Sequence, residues 1–469
     1  MALKIDLGEL RGGRGREFKA PWENLFLTIY TPFDEFIHRQ STSGILLLSC
    51  GVLALVFANS PLSDAYLHLL HKPVGLQLGD RELVMSLHHW INDGLMTLFF
   101  LLVGLELKRE FLVGELSDFR KALMPAIAAV GGMVVPALCY LSLNPSGDGL
   151  AGWGIPMATD IAFAVGTIAL LGNRVPRSLL IFLVALAIVD DLGAILVIAL
   201  FYTQQLHFDG LLWAGAVATA MVVLNFFGVR RNLPYLLLTV VLWLALHYAG
   251  VHATLAGVIC AFIIPARPKY DPEAFSSQAR RLLAKFDRAC EPGLSLYDNS
   301  NMRAYLHALE RVAGLVRAPL QRLEHSLHIP VTYLVIPLFA LANAGIPLSV
   351  FSVGEDGFSS ITLGVMLGLV LGKPLGIAGS TLLAWKLGLG KLPEGCHMGH
   401  VLGVSLLGGI GFTMSIFIAE LAFAGADQNL LYAKAGVLAG SLIAGIAGAA
   451  VLYGCGGSRE GVREADIVV

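Results

Sequence analysis

The chain has 469 residues, of which 56% are hydrophobic and only 14% charged, with a formal net charge of -2. An ordinary soluble domain carries about 25% charged residues, so this deficit excludes a disordered chain, a coiled coil, a nucleic-acid binder and nearly every soluble enzyme of this size. What remains is a polytopic membrane protein, in which the place of each charge matters more than the sum.

Residues 1–42 hold Lys4, Arg11, Arg14, Arg16 and Lys19 but no apolar core followed by a small-residue cleavage site. They read as a cytoplasmic N-terminal segment and not as a cleavable signal peptide. The first apolar run is 43–59. Others follow near 91–107, 121–142, 153–171, 178–201, 210–228, 233–249, 251–265, 329–346, 358–386, 399–424 and 429–453. Each is long enough for a spanning helix or a half-spanning pair, which predicts an all-α transmembrane domain over 43–453 with about twelve spans. A cytoplasmic tail, 454–469, completes the chain. The six cysteines show no CxxC spacing and read as free thiols, mostly buried.

Basic residues set the orientation. With the N-terminus inside, the inner connections hold Lys108, Arg109, Arg120 and Lys121, then Arg174 and Arg177, then Arg230 and Arg231, then the long loop, then Lys386 and Lys391. The outer connections lack Lys and Arg except the first, which has Lys72 and Arg81. That first outer connection, 73–86, alternates apolar and polar residues on both sides of Gly79-Asp80 and predicts a β-hairpin. The inner loop, 266–328, predicts two amphipathic helices. The first starts at Asp271-Pro272. The second passes Tyr305, Leu309, Val312 and Val316 and runs on toward Leu323.

Ionisable groups inside spans are costly and mark function. Asp160 lies in the fourth span, Asp190 and Asp191 at the middle of the fifth, and Lys373 in the tenth; Asp93 and Glu106 bracket the second, and His252 opens the eighth. Single carboxylates can serve as glue between helices. Two adjacent ones are harder to explain that way. Neighbouring helical residues point roughly 100° apart, so Asp190 and Asp191 cannot share one partner. Such a pair suits protons or a small hard cation such as sodium or lithium. Gly152, Gly154 and Pro156 interrupt the fourth span, and Gly408, Gly409 and Gly411 the eleventh. Irregular backbone at that depth belongs in a protein interior or a wet cavity. If the repeat is three helices, spans 3–5 and 10–12 correspond as inverted repeats, with the two broken helices crossing at mid-membrane. At such a crossing an acid and a base offset the helix ends, with Asp160 and Lys373 as the candidates.

The segments INDGLMTLFFLLVGLELKRE, ATDIAFA, VDDLGAI, GVHATLAG, RLEHSLH, LFALANAG, GKPLGI and GGIGFTMSIFIAELAF closely resemble the NhaA-type bacterial sodium/proton antiporters, over about residues 25–453. That family is itself an example of inverted repeats with broken helices, so the repeat reading is not independent of the resemblance. The resemblance implies an electrogenic, pH-regulated exchange of cytoplasmic Na+ or Li+ for external H+, with no cofactor, in a bacterial inner membrane with both termini cytoplasmic. It implies Asp190 and Asp191 as ion-binding carboxylates, with Thr159 and Asp160 beside them and Lys373 as the counter-charge. It further implies pH sensing by Glu106, Arg109 and Glu110 together with Glu324, His325 and His252, and a homodimer joined through hairpin 73–86 in the lipid bilayer. Two departures fall on the implied sensor. Gln321 stands where Lys commonly precedes the RLEH motif, and the loop before it is longer than in compact members.

Two other functions fit the residues less well. An intramembrane aspartyl protease needs two Asp on separate helices, in YD and GxGD contexts, and neither occurs within a span. A channel or a structural membrane protein accommodates broken helices, but a dedicated Lys373 suits a carrier better.

Overall fold

A computed structural model describes residues 40–455 apart from 79–80, 203–205, 269–271, 291–295, 297 and 352–358. The membrane forces its backbone to satisfy itself segment by segment, which helices do. In chain order these are α1 (Gln40–Ala58), α2 (Ser63–His71), α3 (Leu87–Leu112), α4 (Phe119–Leu143), α5 (Ile161–Leu171), α6 (Arg177–Phe201), α7 (Phe208–Phe226), α8 (Asn232–Ala249) and α9 (Leu255–Ile263). There follow α10 (Pro272–Ala289), α11 (Ser300–Val316), α12 (Pro319–Asn343), α13 (Ser360–Lys386), α14 (Met398–Leu407), α15 (Phe412–Ala422) and α16 (Asp427–Cys455).

Among the described residues nine helices are long and apolar enough to cross a membrane, or up to 11 spans if each of two bent pairs counts as one. The expectation of about twelve differs most at residues 251–265. There α9 has only 9 residues, about 14 Å at 1.5 Å per residue, roughly half a bilayer core. The cause is local: Gly250 takes a left-handed conformation (φ 75°) that ends α8, and residues 251–254 are not helical.

Hairpin 73–86 forms as expected. Strands β1 (Pro73–Leu78) and β2 (Arg81–Ser86) pair antiparallel, with Pro73 opposite Ser86 and Leu78 opposite Arg81. The turn at Gly79-Asp80 lies outside the described residues, as do the expected cap Asp271, residues 1–39 and the tail from 456. The long loop carries its two helices, α10 and α11, packed on each other. The second does not continue to Leu323. Pro319 pushes the preceding Ala318 out of the helical region (ψ 146°), so α11 stops at Val316 and Pro319 opens α12. The RLEH segment therefore sits on the first turns of an apolar helix long enough to span, and not on a surface helix. All six cysteines are free, but only Cys260 is buried. This corrects the expectation that most would be inside: Cys290 is exposed just past the end of α10, and the other four are partly exposed.

Two large cores form, with α3 as the wall between them, beside a small third cluster of Leu107, Leu116, Ala185 and Ile188. Phe100, Leu102 and Val103 face a main core built with α1, α4–α6 and α12–α16. Leu101 and Leu105 face a second core made with α7, α8, α9 and the start of α12. The main core is tight because small residues let backbones meet: a Cβ at Gly376 of α13 would strike the Gly131 carbonyl of α4.

Candidate ion-binding site

The fourth span is broken as its glycines and proline suggest. Residues Asp148–Met157 form a 3-10 helix, Ala158 and Asp160 are extended, and α5 begins at Ile161. The eleventh breaks between α14 and α15, which bend by 48° at Gly408–Gly411. The two breaks touch: the Asp160 amide donates to the Ile410 carbonyl at 2.7 Å, and Thr159 Oγ1 lies 2.8 Å from the Gly408 carbonyl. Gly409 is required here, since a Cβ would meet the Leu369 carbonyl of α13.

Each broken helix presents orphan N–H groups and a positive end. Asp160 meets both. Its Oδ1 accepts from the Phe163 amide at 3.0 Å, capping α5. Its Oδ2 accepts from the Thr413 amide at 3.1 Å and the Thr413 hydroxyl at 2.5 Å, capping α15. The Gly411 and Phe412 amides at the same end donate to Ser441 Oγ of α16, at 3.2 and 3.0 Å.

Lys373 meets the opposite polarity. It follows a π-helical turn of α13, Gly368–Gly372, and is fully buried. Its ammonium donates to the Met157 carbonyl, at the carbonyl end of the 3-10 half-span, and to Asp190 Oδ2 at 2.5 Å. Thr159 Oγ1 lies 2.7 Å from that same Asp190 oxygen. A hydroxyl has one proton, so Thr159 serves either Asp190 or the Gly408 carbonyl at a given moment.

Asp191 is different. It is 1% exposed, and the charges acting on it are Asp190 first, then Asp160, Lys373 and Glu106. Its Oδ1, like Oδ1 of Asp190, is buried and has no hydrogen-bond partner among the described residues. The charge balance singles it out. Asp160 is matched by two helix N-termini and Asp190 by Lys373, while Asp191 has no matching group of its own among the described residues. A bare carboxylate so far from water costs several kcal/mol. It must take a proton or a cation.

A second charged cluster lies toward the C-terminal end of α3. Arg109 donates to Glu324 at 2.5 Å and to Glu110 at 3.0 Å, with 43% of the Arg109 side chain exposed. Glu106, one turn earlier, feels Glu324, Arg109 and Glu110 and also acts on Asp191, so it stands between the cluster and the buried site. His325 is exposed and acts on Glu324. His252 is not in this cluster. Its Nε2 lies 2.5 Å from the Tyr202 carbonyl at the end of α6, and it is influenced by Asp93, 16 residues before Arg109 on α3 and thus about 24 Å away along the helix.

The residue pattern missed several participants. Thr413, Ser441 and the Met157 and Gly408 carbonyls all belong to the crossing. A hydroxyl two residues after a glycine break was a usable signal for Thr413. The pattern also passed over Glu420 and Lys434, an intramembrane pair 2.5 Å apart.

Comparison with known proteins gives the family. Residues 34–452 match the family described as Na+/H+ antiporter 1. The chain is similar to the Na(+)/H(+) antiporter NhaA 1 of Saccharophagus degradans, 51% identical over 440 residues, which are 94% of this chain and 95% of that protein. It is 52% identical over 430 residues to the NhaA antiporter of Sulfurimonas denitrificans, covering 92% of this chain and 96% of that one. To the NhaA antiporter of Helicobacter pylori it is 49% identical over 419 residues, 89% and 94% of the two chains.

Proposed function

The chain belongs to the Na+/H+ antiporter 1 family, and from that premise we propose that it exchanges cytoplasmic Na+ or Li+ for external H+ as a secondary carrier. The observation that carries the reading is the unmatched Asp191 carboxylate beside the Lys373–Asp190 pair. Sodium enters only when the carboxylates have lost their protons, and protons bind only when sodium has left. One shared site then couples the two fluxes. Asp191 is the main sodium ligand. Asp190 carries protons and alternates between Lys373 and the ion, with Thr159 and Asp160 completing the site.

Alternating access follows from rocking of the helix bundle around the crossing, and inverted three-helix repeats suit that motion. More than one protonatable group yields to one sodium ion, so the cycle moves charge. The Arg109–Glu110–Glu324 network with Glu106 and His325 regulates it, because protonating Glu106 or Glu324 changes the field along α3 toward Asp191. His252 joins this regulation only from the opposite end of α3. We place the protein in the bacterial inner membrane with both termini and the α10–α11 loop cytoplasmic, as a homodimer joined through the β1–β2 hairpin.

A pH-dye assay in everted vesicles tests the exchange. Sodium-triggered proton release is expected, and no release with any alkali cation would refute it. Cysteine labelling tests the sidedness in a background free of native cysteines. An outside reagent should reach Ser146→Cys and not Ser277→Cys; the reverse pattern refutes the orientation.

A further inference from the structure

We propose that His89, Asp93 and His247 form a binding site for a divalent transition-metal ion of the zinc type, separate from the transport site. Their ligand atoms all lie within 4.8 Å of one another. His89 Nε2 is 3.1 Å from Asp93 Oδ2 one turn later on α3, and His247 comes from the last turn of α8, its ring edge-on to His89 at 5.9 Å. Two helices from distant parts of the chain thus converge two imidazoles and a carboxylate on one point.

The surroundings hold these ligands in place. Residues Trp90–Leu95 form a π-helical turn, a departure from regular helix that often marks functional positions. Trp243 stacks on the His247 ring at 5.7 Å and on Trp90 at 5.8 Å. The Asp93 backbone carbonyl accepts from Trp243 Nε1 at 3.3 Å and from Thr97 Oγ1 at 2.5 Å. Trp90 Nε1 donates to the Val74 carbonyl of β1 at 2.9 Å, which ties the hairpin to the same point. Ligands fixed by such outer contacts bind metals better than free side chains do.

The donor set names the ion class. Two nitrogens and one oxygen suit Zn2+, Ni2+ or Cu2+ and leave a position for water, whereas Mg2+ and Ca2+ require oxygen ligands throughout. Imidazole is equally unsuited to sodium, and Asp93 lies 13 residues before Glu106 on α3, about 20 Å along the helix. The competing explanation is a plain His–Asp contact one turn apart, with His247 nearby by chance.

The experiment is a calorimetric titration of Zn2+ into the full chain in detergent, purified without a polyhistidine tag. One saturable equivalent is expected, with a zinc-dependent rise in melting temperature and no such response to Mg2+. His247→Ala and His89→Gln should each weaken binding by at least about tenfold. His247→Cys exchanges one zinc ligand for another and should retain it. Unaltered affinity in His247→Ala and His89→Gln, equal binding of Mg2+, absence of saturable zinc binding, or loss of binding in His247→Cys as well would each overturn the site.

Discussion

Two charged clusters lie along α3 and α6, and they obey different electrostatics. At the crossing, Asp160, Asp190, Asp191 and Lys373 are all 2% exposed or less. Every charge there must find a group that matches it. At the C-terminal end of α3, Arg109 reaches Glu110 and Glu324 with 43% of its side chain still exposed. Water and salt share the work there. A buried site with one unmatched carboxylate needs a proton or a cation to balance it. A network whose arginine is still open to water while its carboxylates are mostly covered holds its charges less tightly, and its balance moves when a carboxylate gains a proton. The first suits transport and the second suits regulation.

Substitutions should separate the two. The largest effect is expected at the aspartates: Asp191→Asn abolishes exchange while expression and folding persist, because the amide keeps the shape and removes the charge both ions need. Asp190→Asn abolishes exchange or makes it electroneutral. Full sodium-driven proton release in Asp191→Asn vesicles would erase the distinction between the clusters.

Lys373→Ala strands Asp190 and the Met157 carbonyl in a buried core. Breaking a buried pair from one side costs about 3–5 kcal/mol, so the melting temperature in detergent should fall steeply. Parent-like melting would show that Lys373 does not match the charge of Asp190. A smaller loss, roughly 1.5–3 kcal/mol, is expected for Thr413→Val, which keeps the volume and removes one charge-assisted hydrogen bond to Asp160. If Thr413→Val leaves stability untouched, the capping of both helix ends by Asp160 is not what holds the crossing.

Glu110→Gln is expected to alter stability least, by about 0–1 kcal/mol, as befits a part-exposed pair. Its signature is a shifted pH profile of exchange with the maximal rate largely intact. An unchanged profile would remove the regulatory half of the comparison.

The buried cluster was the more legible of the two in the sequence, and the reason is physical. A charge inside an apolar run stands out against its neighbours, so Asp160, Asp190, Asp191 and Lys373 could be picked without knowing which helices meet. The glycine runs likewise gave away both breaks. Spacing along one helix does not say what faces it, however. The double capping by Asp160 depends on Thr413, which is 253 residues away, and its place after the glycine break does not say which helix end it faces. Glu420 and Lys434 were passed over although each lies within a predicted span, because each is close to a span end where charges are ordinary. At the second cluster, the i, i+3, i+4 spacing of Glu106, Arg109 and Glu110 was readable, but the place of Glu324 was not. That depended on Pro319 ending one helix and starting the next. His252 was grouped by resemblance with residues that lie at the other end of α3.

The central claim is that sodium and protons compete for the same carboxylates. It is tested most directly by the apparent sodium affinity of exchange, measured in everted vesicles across a pH series. Protonation of Asp190 and Asp191 removes the sodium ligands, so affinity should fall as pH drops, by up to about tenfold per pH unit for each proton displaced. A sodium affinity that stays constant while pH changes would contradict the account.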